Sequence, residues 1–219
     1  MEAQLTLPFG EARPGDERLD EFISDADLAM LPPAHQKMVR QAVSLFRFME
    51  NKPGQSFAPV FTPLLGPLDE AAKALLLQRL GPDIPSARHA QRAYFEPDLS
   101  GSTAEDAEEC QRRGRDLKRA LIDHNGMSPI GLLRWCVQFA RKSIPAPSAA
   151  LRCVRLRFAG MDVETGKLLN RINGFRNDYI AHQGKELTDV ALVRSSLREW
   201  STGVVQLWQM HRHGLAEAL

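Results

Sequence analysis

From Ser102 to Gly214 the chain falls into four lengths, each opened by a helix-capping signal and each carrying apolar residues at helical spacing. Ser102-Thr103-Ala104-Glu105 fits a capping box, in which a hydroxyl at the helix start is answered three residues later by a carboxylate. It predicts a helix running to His124, where Asn125-Gly126 ends it. Ser128-Pro129 sets a cap before a first-turn proline and opens a helix with Leu132, Leu133, Trp135, Cys136 and Phe139. Asp162 caps a third, with Leu168, Leu169, Ile172, Phe175 and Tyr179, which ends near His182 because Gly184 follows. Thr188 caps a fourth, whose stripe of Leu192, Leu197, Trp200, Val204, Val205, Leu207 and Trp208 stops at Gly214. No period-two alternation competes with this pattern. The expected fold is all-α, with a four-helix bundle over residues 101–219.

Upstream the pattern thins. Residues 33–100 predict a smaller helical addition. Met38, Val39, Ala42, Val43, Leu45, Phe46 and Met49 mark one helix over 34–52, before Pro53-Gly54. A second covers 67–80, from Pro67 to the stop at Gly81. Residues 1–32 read as a flexible acidic arm, since residues 1–30 hold eight Asp/Glu against two Arg and the stretch is broken by Pro8, Gly10, Pro14, Gly15 and Pro32-Pro33. A chain of 219 residues with 43% hydrophobic content can bury one core with an appendage.

Charge and cysteine usage narrow the functional classes. The formal net charge is only +1, yet residues 110–160 hold eleven Lys/Arg against two Asp, which predicts a basic surface or a solvated helix face. Within it, Arg112, Arg115 and Arg119 share one helix face at i, i+3 and i+7, a spacing suited to a track of phosphates. Cys110, Cys136 and Cys153 lie far apart, are odd in number and lack metal-type spacing, so they read as reduced thiols. His211 and His213 are i,i+2 and point apart on a helix, reading as last-turn caps. No metal or cofactor site is expected. No run of eighteen apolar residues and no charged-then-apolar leader are present, so a cytoplasmic protein without a membrane span is expected.

The most chemically suggestive stretch is "FRNDYIAHQG", residues 175–184. On an ideal α-helix Arg176 and His182 are about 240° and about 9 Å apart, so they do not meet within one copy. Asp178 and His182 form an i,i+4 pair, through which the carboxylate can fix the imidazole tautomer. A symmetric dimer packing this helix against its mate brings two Arg/His sets to one cleft. The other reading is a helix end, where a histidine interacts favourably with the dipole.

"RNDYIAH" resembles the signature of the HEPN superfamily: an arginine, a polar residue often asparagine, a short spacer and a histidine, near the end of a bundle helix. The resemblance implies a HEPN-like helical bundle, a homodimer, and in many members a metal-independent endoribonuclease acting as a toxin or in anti-phage defence. In such a site Arg176 stabilises phosphoryl charge, His182 is the base or the acid, Asn177 hydrogen-bonds the backbone phosphate or its partner helix and Asp178 orients the imidazole, while Arg112, Arg115 and Arg119 beside the cleft guide RNA. An antitoxin or a defence-complex partner is implied as well. A subgroup paired with nucleotidyltransferase antitoxins carries a tyrosine two residues after the histidine; Gly184 stands there, which departs from that pairing. Some members bind RNA or partners without cutting.

A second motif lies in the arm. "QLTLPF", residues 4–9, resembles the hexapeptide by which bacterial replication and repair factors dock on the DNA sliding clamp, with Gln4, Leu5, Leu7 and Phe9 at the key positions. An extended peptide of this kind seats alternate side chains in separate pockets. It supports the alternative expectation, a non-catalytic helical adaptor that binds the sliding clamp or another replication protein.

Overall fold

The structure, a computed structural model, describes residues 19–52, 54–96, 98, 103–123, 128–142, 146–181 and 185–216. Every regular element among the described residues is helical: α1 Asp25–Ala29, α2 Pro33–Met49, α3 Ala58–Leu80, α4 Arg88–Phe95, α5 Ala104–Leu121, α6 Pro129–Arg141, α7 Ala149–Phe158, α8 Val163–Phe175 and α9 Val190–Ala216. Single 3-10 turns stand at Leu19–Glu21 and Gly81–Asp83, and a π-helical turn, Arg176–Ala181, extends α8. No helix among the described residues is long and apolar enough to cross a membrane.

The organising element is α3. It packs most extensively on α9 and α2, and also on α6 and α7. Its buried side includes Val60, Phe61, Leu64, Leu68, Ala71, Ala72, Leu75 and Leu76. The helices upstream of residue 101 share one hydrophobic core with those downstream. The sequence reading started this helix at Pro67, whereas Pro63 and Pro67 both lie inside it. Each proline removes one helical N–H and crowds the carbonyl four residues back. Here the apolar residues around them are buried against α9 and α2, which outweighs that local cost.

Residues 19–31 correct the reading of an irregular arm reaching to residue 32. They form the first 3-10 turn and α1, and they bury Leu19, Phe22, Ile23, Leu28 and Leu31. The acidic count hid this apolar spacing, and the acids are answered elsewhere. Glu21 pairs with Arg47 of α2 and, at 3.1 Å, with Arg194 of α9, while Arg194 also reaches Glu50 at 2.9 Å. Arg47 and Arg194 both lie over the Phe46 ring, so the paired charges cover apolar surface.

Caps set most helix starts, with some shifts of register. Asp162 Oδ1 accepts the Thr165 N–H at 2.8 Å as expected. For α5 the cap is Thr103, whose Oγ1 accepts from Asp106 N at 3.2 Å, one residue later than the box read from the sequence. For α9 it is Asp189, which accepts the Ala191 and Leu192 N–H groups, in place of Thr188. Ser128 precedes α6 but makes no cap bond to its own helix. It donates instead to Asp69 Oδ1 of α3 at 2.8 Å, and the same oxygen accepts the Ile130 N–H at 3.3 Å. One carboxylate on α3 thus performs the capping of α6.

Helices α4 and α5 approach closely at Gly114, where a Cβ atom would lie 2.5 Å from the Phe95 carbonyl oxygen. The obstruction is backbone, so it cannot rotate aside. Gly114→Ala is therefore expected to push the end of α4 off α5 at a cost of about 1–3 kcal/mol, read as a lower urea midpoint with an unchanged slope. An unchanged midpoint would show that α4 is not held there.

Candidate functional site

The segment containing the RNDYIAH stretch leaves α-helical geometry at its first residue. Arg176–Ala181 is π-helical, with backbone bonds spanning i to i+5. The α-helical angle and rise per residue therefore do not hold along Arg176–Ala181, because the wider turn alters each side-chain direction within it. His182 itself, with Gln183 and Gly184, lies outside the described residues, as do Gln4, Leu5, Leu7 and Phe9 of the hexapeptide.

Aromatic packing holds the turn. The Phe175 ring lies 4.7 Å from Phe61 of α3, 6.0 Å from Trp200 of α9 and 4.9 Å from Tyr179 one turn on. Phe61 and Trp200 close the set at 5.1 Å. Two distant helices thus fix the backbone immediately before Arg176.

Arg176 and Asn177 are half-buried, while Asp178 is exposed. The Arg176 Nε atom is shielded from solvent, and among the described residues it has no hydrogen-bond partner. Asp178 Oδ2 accepts from Lys185 Nζ at 2.7 Å, a contact the sequence reading did not anticipate. Lys185 also lies 5.8 Å from the centre of the Tyr179 ring, and the carboxylate beside it raises the ammonium pKa. One Asp178 oxygen is thus committed to a lysine before any imidazole is considered.

Arg112, Arg115 and Arg119 are all exposed on α5, as the i, i+3, i+7 spacing predicts. Helix α3 is a neighbour of both α5 and the π turn, but α5 otherwise packs on α4, α6 and α7, whereas the turn otherwise packs on α8. Arg113, between them in sequence, faces inward, 5.3 Å over the Trp135 ring and 3.4 Å from Asp116. Sequence reasoning missed Lys118, which shares a groove with Arg115 and with Arg92 of α4. The i+3 step from Arg115 was the available signal; nothing local pointed to Arg92.

The thiols are not poised as nucleophiles. Among the described residues Cys110, Cys136 and Cys153 are in no disulfide, and burial raises the pKa of each. Cys153 donates to Asp83 Oδ2 at 3.0 Å, which further favours its protonated form. Among the described residues no group of three or more His, Cys, Asp or Glu is gathered to hold a metal ion.

Among the described residues two carboxyls have depressed pKa values: Asp83, through its hydrogen bonds from Arg157 and then from Cys153, and Asp162, through those from the Thr165 hydroxyl and backbone. A carboxyl whose folded pKa lies below its unfolded value stabilises the fold above about pH 4 and loses that contribution as pH falls through the folded value. Thermal midpoints should therefore drop below about pH 4, and Asp83→Asn should flatten part of that decline. An identical decline in the variant would remove Asp83 from the explanation.

No family model matches the sequence, and comparison with curated proteins and with solved structures gave no match. The functional reading rests on the residues themselves.

Proposed function

We propose that the protein is a metal-independent endoribonuclease that works as a homodimer in the cytoplasm, with Arg176, Asn177 and His182 from two copies lining one cleft. The observation that carries this reading is the Arg176 turn: a π-helical segment, braced by three aromatic rings, presenting a guanidinium whose Nε is shielded and unpartnered among the described residues. π turns recur at functional sites, and a buried donor left open costs about 1–3 kcal/mol. An anionic oxygen is the natural complement to such a donor.

The chemistry follows from the side chains. An imidazole near neutral pH takes the proton of the RNA 2′-hydroxyl as that oxygen attacks the adjacent phosphorus. The bond from phosphorus to the 5′-oxygen breaks, and that oxygen receives a proton from the second copy's imidazole. The products are a 2′,3′-cyclic phosphate and a 5′-hydroxyl. Arg176 supports the charge growing on the phosphoryl oxygens, and Asn177 donates to the same phosphate. Asp178 keeps Oδ1 for orienting the imidazole while Lys185 holds Oδ2. Activity of this kind suits a toxin or an anti-phage defence nuclease, restrained by an antitoxin or a complex partner.

The test incubates purified protein with total RNA in EDTA and maps new ends, comparing wild type with Arg176→Ala and His182→Ala. Cyclic-phosphate ends from wild type, absent from both variants, are expected. Absence of cleavage by wild type, or equal cleavage by all three, rejects the reading.

A further inference from the structure

A cationic groove lies between α4 and α5. It encloses about 320 Å³ and is lined by Arg92, Phe95 and Glu96 from α4, and by Gln111, Gly114, Arg115 and Lys118 from α5. Its walls stand close because Gly114 admits the Phe95 carbonyl. Three cations thus face one carboxylate. That carboxylate, Glu96, is engaged by Arg92 of its own helix at 2.6 Å, so Arg115 and Lys118 are left unmatched. Among the described residues neither Arg115 nor Lys118 has a carboxylate partner, and nor do Arg112 and Arg119 on the same helix. Some arginines elsewhere pair with carboxylates: Arg47 and Arg194 with Glu21 and Glu50, Arg157 with Asp83, and Arg171 with Glu199.

We infer that this groove is a binding subsite for the phosphodiester backbone of single-stranded RNA, formed by residues other than those of the Arg176 turn. Arg115 and Lys118 clasp one phosphate from α5. Arg92 closes on it from α4 by exchanging Glu96 for a phosphate oxygen, and Gln111 hydrogen-bonds the sugar or base edge. Arg112 and Arg119 extend the cationic path along the helix. The volume fits about one nucleotide unit, and a cleft between two helices admits a flexible single strand more readily than a duplex. The choice of RNA over other polyanions rests on the ribonuclease reading; the anion subsite itself does not.

The test measures binding of a fluorescein-labelled single-stranded RNA of about a dozen nucleotides by anisotropy, using His182→Ala protein so that the probe survives. Arg115→Glu/Lys118→Glu in that background is expected to weaken binding about tenfold or more and to lower the salt slope by about 1.4, two contacts at about 0.7 each. Lys37→Glu/Arg40→Glu, an equal charge change at exposed positions of α2, controls for net charge. Equal losses in both double variants, or none in either, overturn the subsite. Tighter binding of duplex DNA or of an acidic peptide than of the RNA overturns the assigned ligand. Cleavage by wild type with RNA binding unaltered in the Arg115/Lys118 variant would sink this inference and leave the nuclease standing. Groove-dependent RNA binding without cleavage by wild type would do the reverse.

Discussion

Arg176→Ala is expected to lower metal-free RNA cleavage about 100-fold or more, with little change in thermal midpoint. The magnitude is that of removing one positioned donor from a site where transition-state charge develops, worth roughly 2.7–4 kcal/mol. The second half of the expectation follows from the surroundings of the side chain. Its Nε has no partner among the described residues, so its loss breaks no hydrogen bond there and removes a shielded polar atom. Arg176→Lys should recover little activity, because an ammonium supplies charge without the planar fork. The measurement is initial cleavage rate beside a melting curve for each variant. A collapse in midpoint matching the collapse in rate would reassign Arg176 to structure, and full activity in the lysine variant would dismiss the role of the guanidinium.

Trp200→Ala should produce the largest loss of stability in the chain, about 3–5 kcal/mol. The indole is fully buried and joins Phe61 and Phe175 across three elements. Removal opens a cavity between α3, α8 and α9 that helix backbones cannot easily fill. Trp200→Phe should cost far less, since the indole Nε1 has no hydrogen-bond partner among the described residues and no polar contact is given up. Urea denaturation of both variants checks the contrast. Equal losses would mean that the indole nitrogen is bonded in solution. If Trp200→Ala still folds, its RNA cleavage should fall as well, because Phe175 loses a brace just before the π turn.

Much of the helical order was legible because caps and apolar stripes are local. Asp162 bonds its own helix, and the run from Leu168 to Phe175 packs as its spacing predicts. What was hidden depended on distant partners. The stretch from Ala58 to Pro67 reads as broken by prolines, and burial against distant helices, among them α9, α2 and α8 through Phe175, makes it helical. Helix α7 was missed because Arg152, Arg155 and Arg157 interrupt its apolar set of Leu151, Val154 and Phe158, while Arg157 is matched by Asp83 seventy-four residues earlier. Asp69 looked like an ordinary surface carboxylate until α6 was seen to start against it. At the candidate site, the residue types and their order were readable. The π turn was not, since its bracing by Phe61 and Trp200 is a tertiary contact, and the engagement of Asp178 by Lys185 depends on how the chain returns toward α9.

The ring set around Phe175 also fixes when the Arg176 turn can be completed as the chain is made. Synthesis delivers Phe61 early and Trp200 last, so the turn stays unsupported on one side until α9 has left the ribosome and swung back onto α3. Pairing across so long a stretch of sequence is slow compared with helix formation itself. Bracing of the Arg176 turn therefore follows the docking of α9 on α3 and cannot precede it.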